Sequence, residues 1–132
     1  MMRMNISSGT PWESVVGYSR AVRVGPYVHV AGTTAADADG KIVGADDPYE
    51  QTIYILRKIE AALEKTGATM KDVVRTRIYV TDVTDWDEVA RAHGELFAQI
   101  KPAATLVEVN SLIEPEMLVE IEADAICVDT AV

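Results

Sequence analysis

Residues 101–125 read KPAATLVEVNSLIEPEMLVEIEADA, and the two apolar runs inside this stretch decide the architecture. Ala104 to Val109 has the branched, apolar content of a strand, whereas Met117 to Val128 alternates Val119, Ile121, Ala123 and Ala125 with Glu120, Glu122 and Asp124. A period of two sets the apolar members on one face and the three acids on the other. Asn110, Ser111 and Pro115 suit the loop between the runs. The last strand is therefore expected to bury one face under helices and to turn a row of acids away from them.

Working back along the chain, Thr84 or Asp85 can cap a helix in which Trp86, Val89, His93, Leu96, Phe97 and Ile100 share one face, ending before Pro102. Val74, Thr76, Ile78 and Val80 alternate with Arg75, Arg77 and Tyr79, the pattern of a half-buried strand, and the two arginines suit the acids in sign. A longer helix of about 18 residues is expected from Asp47, an acid followed by Pro48 and then Glu50. Ile53, Leu56, Ile59 and Leu63 form its apolar face, and Gly67 stops it. Arg20 to Val24 and Tyr27 to Ala31 flank Gly25-Pro26 as a hairpin, and Asp39-Gly40 marks a turn before a short extended piece, Lys41 to Val43. The order is ββ, α, β, α, ββ. Right-handed crossovers put both helices on one face of a mixed sheet, so the fold class is α+β with an uncovered polar face available to a neighbouring subunit.

Composition agrees with one domain over residues 1–132: 48% of residues are hydrophobic and 25% charged, with no internal repeat or linker. A net charge of −9 opposes nucleic acid and anionic lipid as partners. Neither a signal-type apolar core nor a run long enough to span a membrane is present, so the expected location is the cytoplasm. The single cysteine, Cys127, fits a reducing compartment and reads as a small buried apolar residue. No His and carboxylate spacing suits zinc, and the acidic row lacks the loop geometry of a calcium site, so neither metal nor cofactor is expected.

The motifs GYSRAVRVG (17–25), VHVAGTT (28–34), ALEKTGATMKDVVRTRIYVTDVTDW (62–86), PAATLVEV (102–109) and LVEIEADA (118–125) resemble the Rid family, the reactive intermediate deaminases also called YjgF-type or translation-inhibitor-like proteins. The resemblance runs from Tyr18 to Val128. It implies a chorismate-mutase-like fold assembled as a homotrimer, with an inner barrel and small-molecule clefts between subunits. It also implies that Glu120 positions a hydrolytic water and that Tyr18 donates a hydrogen bond from the pocket wall. Other family pocket positions fall at Ala31, Gly32, Ala90 and Ala104.

This chain departs from the family pattern at several of these. Ala104 stands where the catalytic branch has the arginine that grips a substrate carboxylate, Ala31 replaces a serine and Ala90 an asparagine. A guanidinium holds a carboxylate by two charge-assisted hydrogen bonds, and losing such a contact costs about 2–5 kcal/mol in binding. Hydrolysis of an imine or enamine needs a positioned water, a donor for nitrogen and a base, so the departure redirects the substrate toward neutral or cationic imines and away from the 2-aminoacrylate type. Lys101, Arg20, Arg75 and Arg77 are candidates for a substitute cation. His93 is a core histidine or a pocket proton carrier, and His29 a weaker candidate. The rival reading is a non-enzymatic trimer that binds a small metabolite or regulates a partner. Ribonuclease action, a label the family has sometimes carried, lacks a basic stripe with stacking aromatics.

Overall fold

The computed structural model describes residues 2–128. Six strands, β1 (Arg3–Ile6), β2 (Ala21–Val24), β3 (Tyr27–Thr33), β4 (Val73–Val80), β5 (Ala103–Glu108) and β6 (Val119–Ile126), form one mixed sheet in the order β1-β2-β3-β6-β4-β5. Only β4 and β5 run parallel, because the helix α3 (Trp86–Phe97) carries the chain across between them. The longer helix, α2 (Pro48–Lys65), packs on β3 and β6, and α3 packs against α2 on the same side. The fold is thus α+β with both long helices on one face of the sheet.

Strand β6 lies at the centre, antiparallel to β3 and to β4. Val119, Ile121, Ala123 and Ala125 are each at most 1% exposed beneath the helices, joined there by Val28, Val30, Ile78 and Val80. The helix side of the core comes from Ile55, Leu56, Ile59 and Leu63, which recur at i, i+1, i+4 and i+8. Ile53 lies at the margin of that stripe and is half-buried. Asp47 caps α2 by accepting from the Glu50 amide at 3.0 Å, Pro48 opens it, and Arg23 donates to the Thr66 carbonyl at its end (2.8 Å).

Several sequence expectations need correction. Two elements were not anticipated: β1 at the sheet edge and the six-residue α1 (Pro11–Val16). Both are too short for periodicity to reveal, and β1 exists because β2 supplies its ladder. Val74 is 43% exposed although it shares parity with Thr76, because the β4–β6 register shifts between Val73 and Arg75 and a bulge turns Val74 outward. Trp86 is 58% exposed, since it is the first residue of α3 and precedes the packed turns. Arg75 stands opposite Asp124 in register, yet among the described residues it makes no ion pair; Arg77 reaches that acid instead. Cys127 is only half-buried at the core margin. The expected extended piece, Lys41 to Val43, contributes a single bridge between Ile42 and Ala36.

α1 matters because it delivers the chain to the site. Glu13 accepts from the Ser8 amide and hydroxyl and from the Thr10 hydroxyl. Burial pushes its carboxyl up, but these hydrogen bonds together with one from Ser7 outweigh that and lower it from 4.5 to about 2. Gly17 at φ 88° then ends the helix in a left-handed turn that sends Tyr18 back toward the sheet.

A buried polar clasp closes the other side. Gln51, fully buried on α2, donates to the carbonyls of Gly44 (3.2 Å) and Glu116 (2.9 Å) and accepts from the Leu118 amide (2.9 Å). It thereby fixes the entry into β6 against the loop that precedes α2. Replacement by leucine leaves those backbone groups without partners, so Gln51→Leu should destabilise by about 1–3 kcal/mol, read as a lower denaturant midpoint at fixed protein concentration.

Candidate functional site

The three acids of β6 have different fates. Asp124 accepts from Arg77 Nη1 at 3.0 Å and pairs with His29 Nδ1 at 2.8 Å. Burial raises its carboxyl, and the bonds and charges of His29 and Arg77 together more than reverse this, so it lies below the usual range. Glu122 accepts from the Tyr79 hydroxyl at 3.0 Å and lies 3.6 Å from Arg77. Glu120, by contrast, has no hydrogen-bond or ion-pair partner among the described residues. Burial pushes its carboxyl up, the charge of Arg20 opposes that, and Glu122 adds to it.

The reason for this difference lies across the ladder on β3. Val30 pairs with Ala123 and Thr33 with Ile121, so Ala31 and Gly32 together oppose Glu122 alone and β3 bulges there. The bulge brings the Gly32 backbone against the Glu120 side chain. A Cβ at residue 32 would sit inside contact distance of Glu120 Oε2 and 3.1 Å from its carboxyl carbon. Glycine here lets the Glu120 carboxylate lie against the backbone, by close approach and not by an unusual backbone angle.

Glu120, Gly32, Tyr18 and Arg20 line a common cavity of about 50 Å³, walled on its apolar side by residues that include Trp12 and Met117. Ile113, 72% exposed on the loop before β6, forms part of its lip. The Arg20 side chain reaches the cavity from the start of β2, where it donates to the Gly32 carbonyl (2.7 Å), to Thr33 Oγ1 (2.9 Å) and to the Tyr18 hydroxyl (3.1 Å). The space exceeds the roughly 30 Å³ that a water occupies in the liquid. An acid, a phenol and a guanidinium therefore converge on a volume of water size.

The remaining residues singled out from sequence fall elsewhere. Ala31 lines a wider, open depression of about 470 Å³ on the polar sheet face, together with Tyr18, His29 and Arg77. His93 lies in the helix layer: its Nε2 is 2.9 Å from Thr76 Oγ1 and its ring packs on Phe97 at 4.6 Å. Burial lowers its basicity. Thr76 is also the register partner of Ala104, which is exposed on the edge strand β5, and Ala90 is exposed on α3. The candidates thus form two groups within one protomer, Tyr18, Ala31, Gly32 and Glu120 on one side and Ala90, His93 and Ala104 on the other, with β6 and β4 between β3 and β5.

Of the four cations considered, Arg20 alone lines the cavity. Arg77 is tied to Asp124, and Lys101 is exposed at φ 55° ahead of Pro102. Trp12, Met117 and Ile113 were not foreseen. The first belongs to a helix too short to read, and the other two sit in a connection whose path no periodicity dictates. Among the described residues no cluster of His, Cys, Asp and Glu could hold a metal ion. No described helix is long and apolar enough to cross a membrane.

Comparison with known proteins places this geometry. The family described as Endoribonuclease L-PSP matches residues 10–127. An uncharacterised protein of Streptomyces coelicolor is 41% identical over 120 residues, 91% of this chain and 89% of that one. A RutC family protein of Pyrococcus abyssi is 36% identical over 108 residues, covering 82% and 84%. Among solved structures, Rv2704 of Mycobacterium tuberculosis, a member of the YjgF/YER057c/UK114 family, is 54% identical with a TM-score of 0.87, covering 95% of this chain and 99% of that one. With a family match across nearly the whole chain and a sheet that superposes on a solved member, this protein belongs to the YjgF/Rid family.

Proposed function

We propose that this protein hydrolyses imines or enamines, with a substrate range shifted toward compounds that lack a carboxylate beside the reacting carbon. The observation that carries this reading is the unpartnered Glu120 carboxylate facing a cavity of water size that it shares with Tyr18. In the reaction, a water in that cavity gives a proton to Glu120 while its oxygen adds to the C=N carbon. Glu120 passes that proton to the nitrogen, which Tyr18 hydrogen-bonds, giving a neutral carbinolamine. Glu120 then carries the carbinolamine hydroxyl proton to the nitrogen as the C–N bond breaks, so ammonia leaves, a carbonyl compound remains, Glu120 is restored as carboxylate and one water is consumed for each ammonia released. Burial supports the base role, because a carboxyl raised toward neutrality is a stronger proton acceptor than an exposed one. Ala104, exposed and without a polar side chain, supplies no anchor for a substrate carboxylate.

A cavity of about 50 Å³ holds a water but not a substrate. We place the substrate in a cleft completed by a second copy of the chain, in a homotrimer that covers the polar sheet face. Support comes from the open depression beside Tyr18 and from β5, whose residues are mostly exposed although it carries Leu106 and Val107. Sedimentation at micromolar concentration should give three times the monomer mass; a monomer at all concentrations would remove this placement.

The activity is tested by ammonia release from freshly generated imines with and without carboxylates, compared with buffer. The expected outcome is turnover of the carboxylate-free members, reduced by about 100-fold or more in Glu120→Gln. Release no faster than buffer across the panel would favour the alternative, a trimer that binds a small metabolite without turning it over. Gly32→Ala tests the bulge separately. The added methyl meets only the end of a flexible side chain, so the fold should survive with little change in melting temperature. Glu120, pushed toward solvent, should then titrate at lower pH than in the unmodified protein, as read by carboxyl carbon NMR.

A further inference from the structure

Arg20 is 7% exposed, makes no ion pair among the described residues, and has a buried Nε without a hydrogen-bond partner. Its charge is felt by a second cation, Lys58, which burial and Arg20 lower to about 8. Placing an unpaired guanidinium beside a second cation is costly for folding, and a neutral side chain of similar length would avoid that cost. Three donated hydrogen bonds offset part of that cost, and they define what Arg20 does at the cavity.

A guanidinium has donors only, so in its 3.1 Å bond with Tyr18 the phenol oxygen is the acceptor. The hydroxyl proton of Tyr18 then points away from Arg20 and is free to be donated, and Tyr18 shares the cavity with Glu120. At the same time Arg20 Nη1 holds the Gly32 carbonyl and the Thr33 hydroxyl, and Lys58 holds the carbonyls of Thr34 and Ala36 (2.9 and 2.8 Å). Alternate carbonyls of one segment, residues 32, 34 and 36, are thus gripped by two cations, the buried Arg20 and the half-buried Lys58. This fixes the bulge against which the Glu120 carboxylate rests.

We propose that Arg20 is a positioning residue of this cavity: it commits the Tyr18 hydroxyl to donating toward the reacting group, fixes the Gly32 backbone beneath Glu120, and turns a positive charge toward that carboxylate. Its hydrogen bonds go to protein groups, so it does not replace the carboxylate anchor missing at Ala104. The charged and titratable groups facing Glu120 are Arg20 from the start of β2, Tyr18 ahead of it, Glu122 on its own strand and Tyr79 across the ladder on β4. Removing the cation leaves Glu120 with burial and Glu122, both of which favour its protonated form.

The inference rests on the hydrolase reading for its catalytic meaning, but its test does not. The Glu120 carboxyl titration is followed by carbon NMR in the unmodified protein, in Arg20→Gln, which keeps a donor and loses the charge, and in Arg20→Lys, which keeps the charge and loses the fork. The Glu120 midpoint should move to higher pH in Arg20→Gln and stay near its original place in Arg20→Lys. Where imine hydrolysis is measurable, kcat should fall about tenfold in Arg20→Gln, with the acidic limb of the pH profile moving up alongside the NMR midpoint. In a Tyr18→Phe background the kcat loss should shrink, since the part that runs through the phenol is already gone, while the upward move of the acidic limb persists. An unchanged Glu120 midpoint in folded Arg20→Gln would overturn the inference; should that variant fail to fold, a midpoint displaced upward in Arg20→Lys would do the same. Absence of hydrolysis with the titration behaving as expected would count against the hydrolase reading alone.

Discussion

The arrangement depends on the burial of one face of β6. Val119, Ile121, Ala123 and Ala125 are fully withdrawn from water beneath the helices, and burying a valine or isoleucine side chain contributes about 1.5–3 kcal/mol. A slip of one residue would drive Glu120, Glu122 and Asp124 into that core, so the register is strongly specified. Because β6 lies between β3 and β4, fixing it fixes the two strands that supply partners for the acids. The polar face is thus a consequence of how the apolar face packs.

Within that register, local irregularity produces the difference between a structural acid and a candidate catalytic one. Glu122 and Asp124 find partners across the ladder, His29 directly opposite Asp124, and Tyr79 and Arg77 by diagonal contacts that leave Glu120, the register partner of Tyr79, without one. The bulge at Ala31 and Gly32 breaks the alternation beside Glu120 and substitutes backbone for side chain. A carboxylate left without a partner and partly withdrawn from water is poised to exchange protons, whereas its two neighbours are held ionised or hydrogen-bonded in the ladder. The same segment continues into carbonyls gripped by Arg20 and Lys58, which joins the shape of the strand to the electrostatics of the cavity.

The second group of residues, Ala90, His93 and Ala104, lies beyond β4, and one protomer does not bring it to Glu120. His93 is engaged by Thr76 and packed on Phe97, which accounts for a histidine on an apolar helix face without invoking chemistry. Exposure of Ala104 on an edge strand agrees with a surface completed by another copy of the chain, which is where the proposed cleft would take shape.

Periodicity and end signals by themselves determined the long elements: α2 from its Asp47-Pro48 start and apolar stripe, β6 from strict alternation, the β2–β3 hairpin from Gly25-Pro26, and the polarity of the sheet's two faces. Family-specific motifs in the sequence pointed to Glu120 and Tyr18. Tertiary structure alone decided which acid stays unpaired, that Arg20 reaches the same cavity, and that Val74 and Trp86 turn outward. The physical reason is that alternation encodes which face a residue occupies, a local property of the chain. Bulges, short elements such as α1 and β1, and convergence of side chains from β2, β3 and β6 depend on partners distant in sequence.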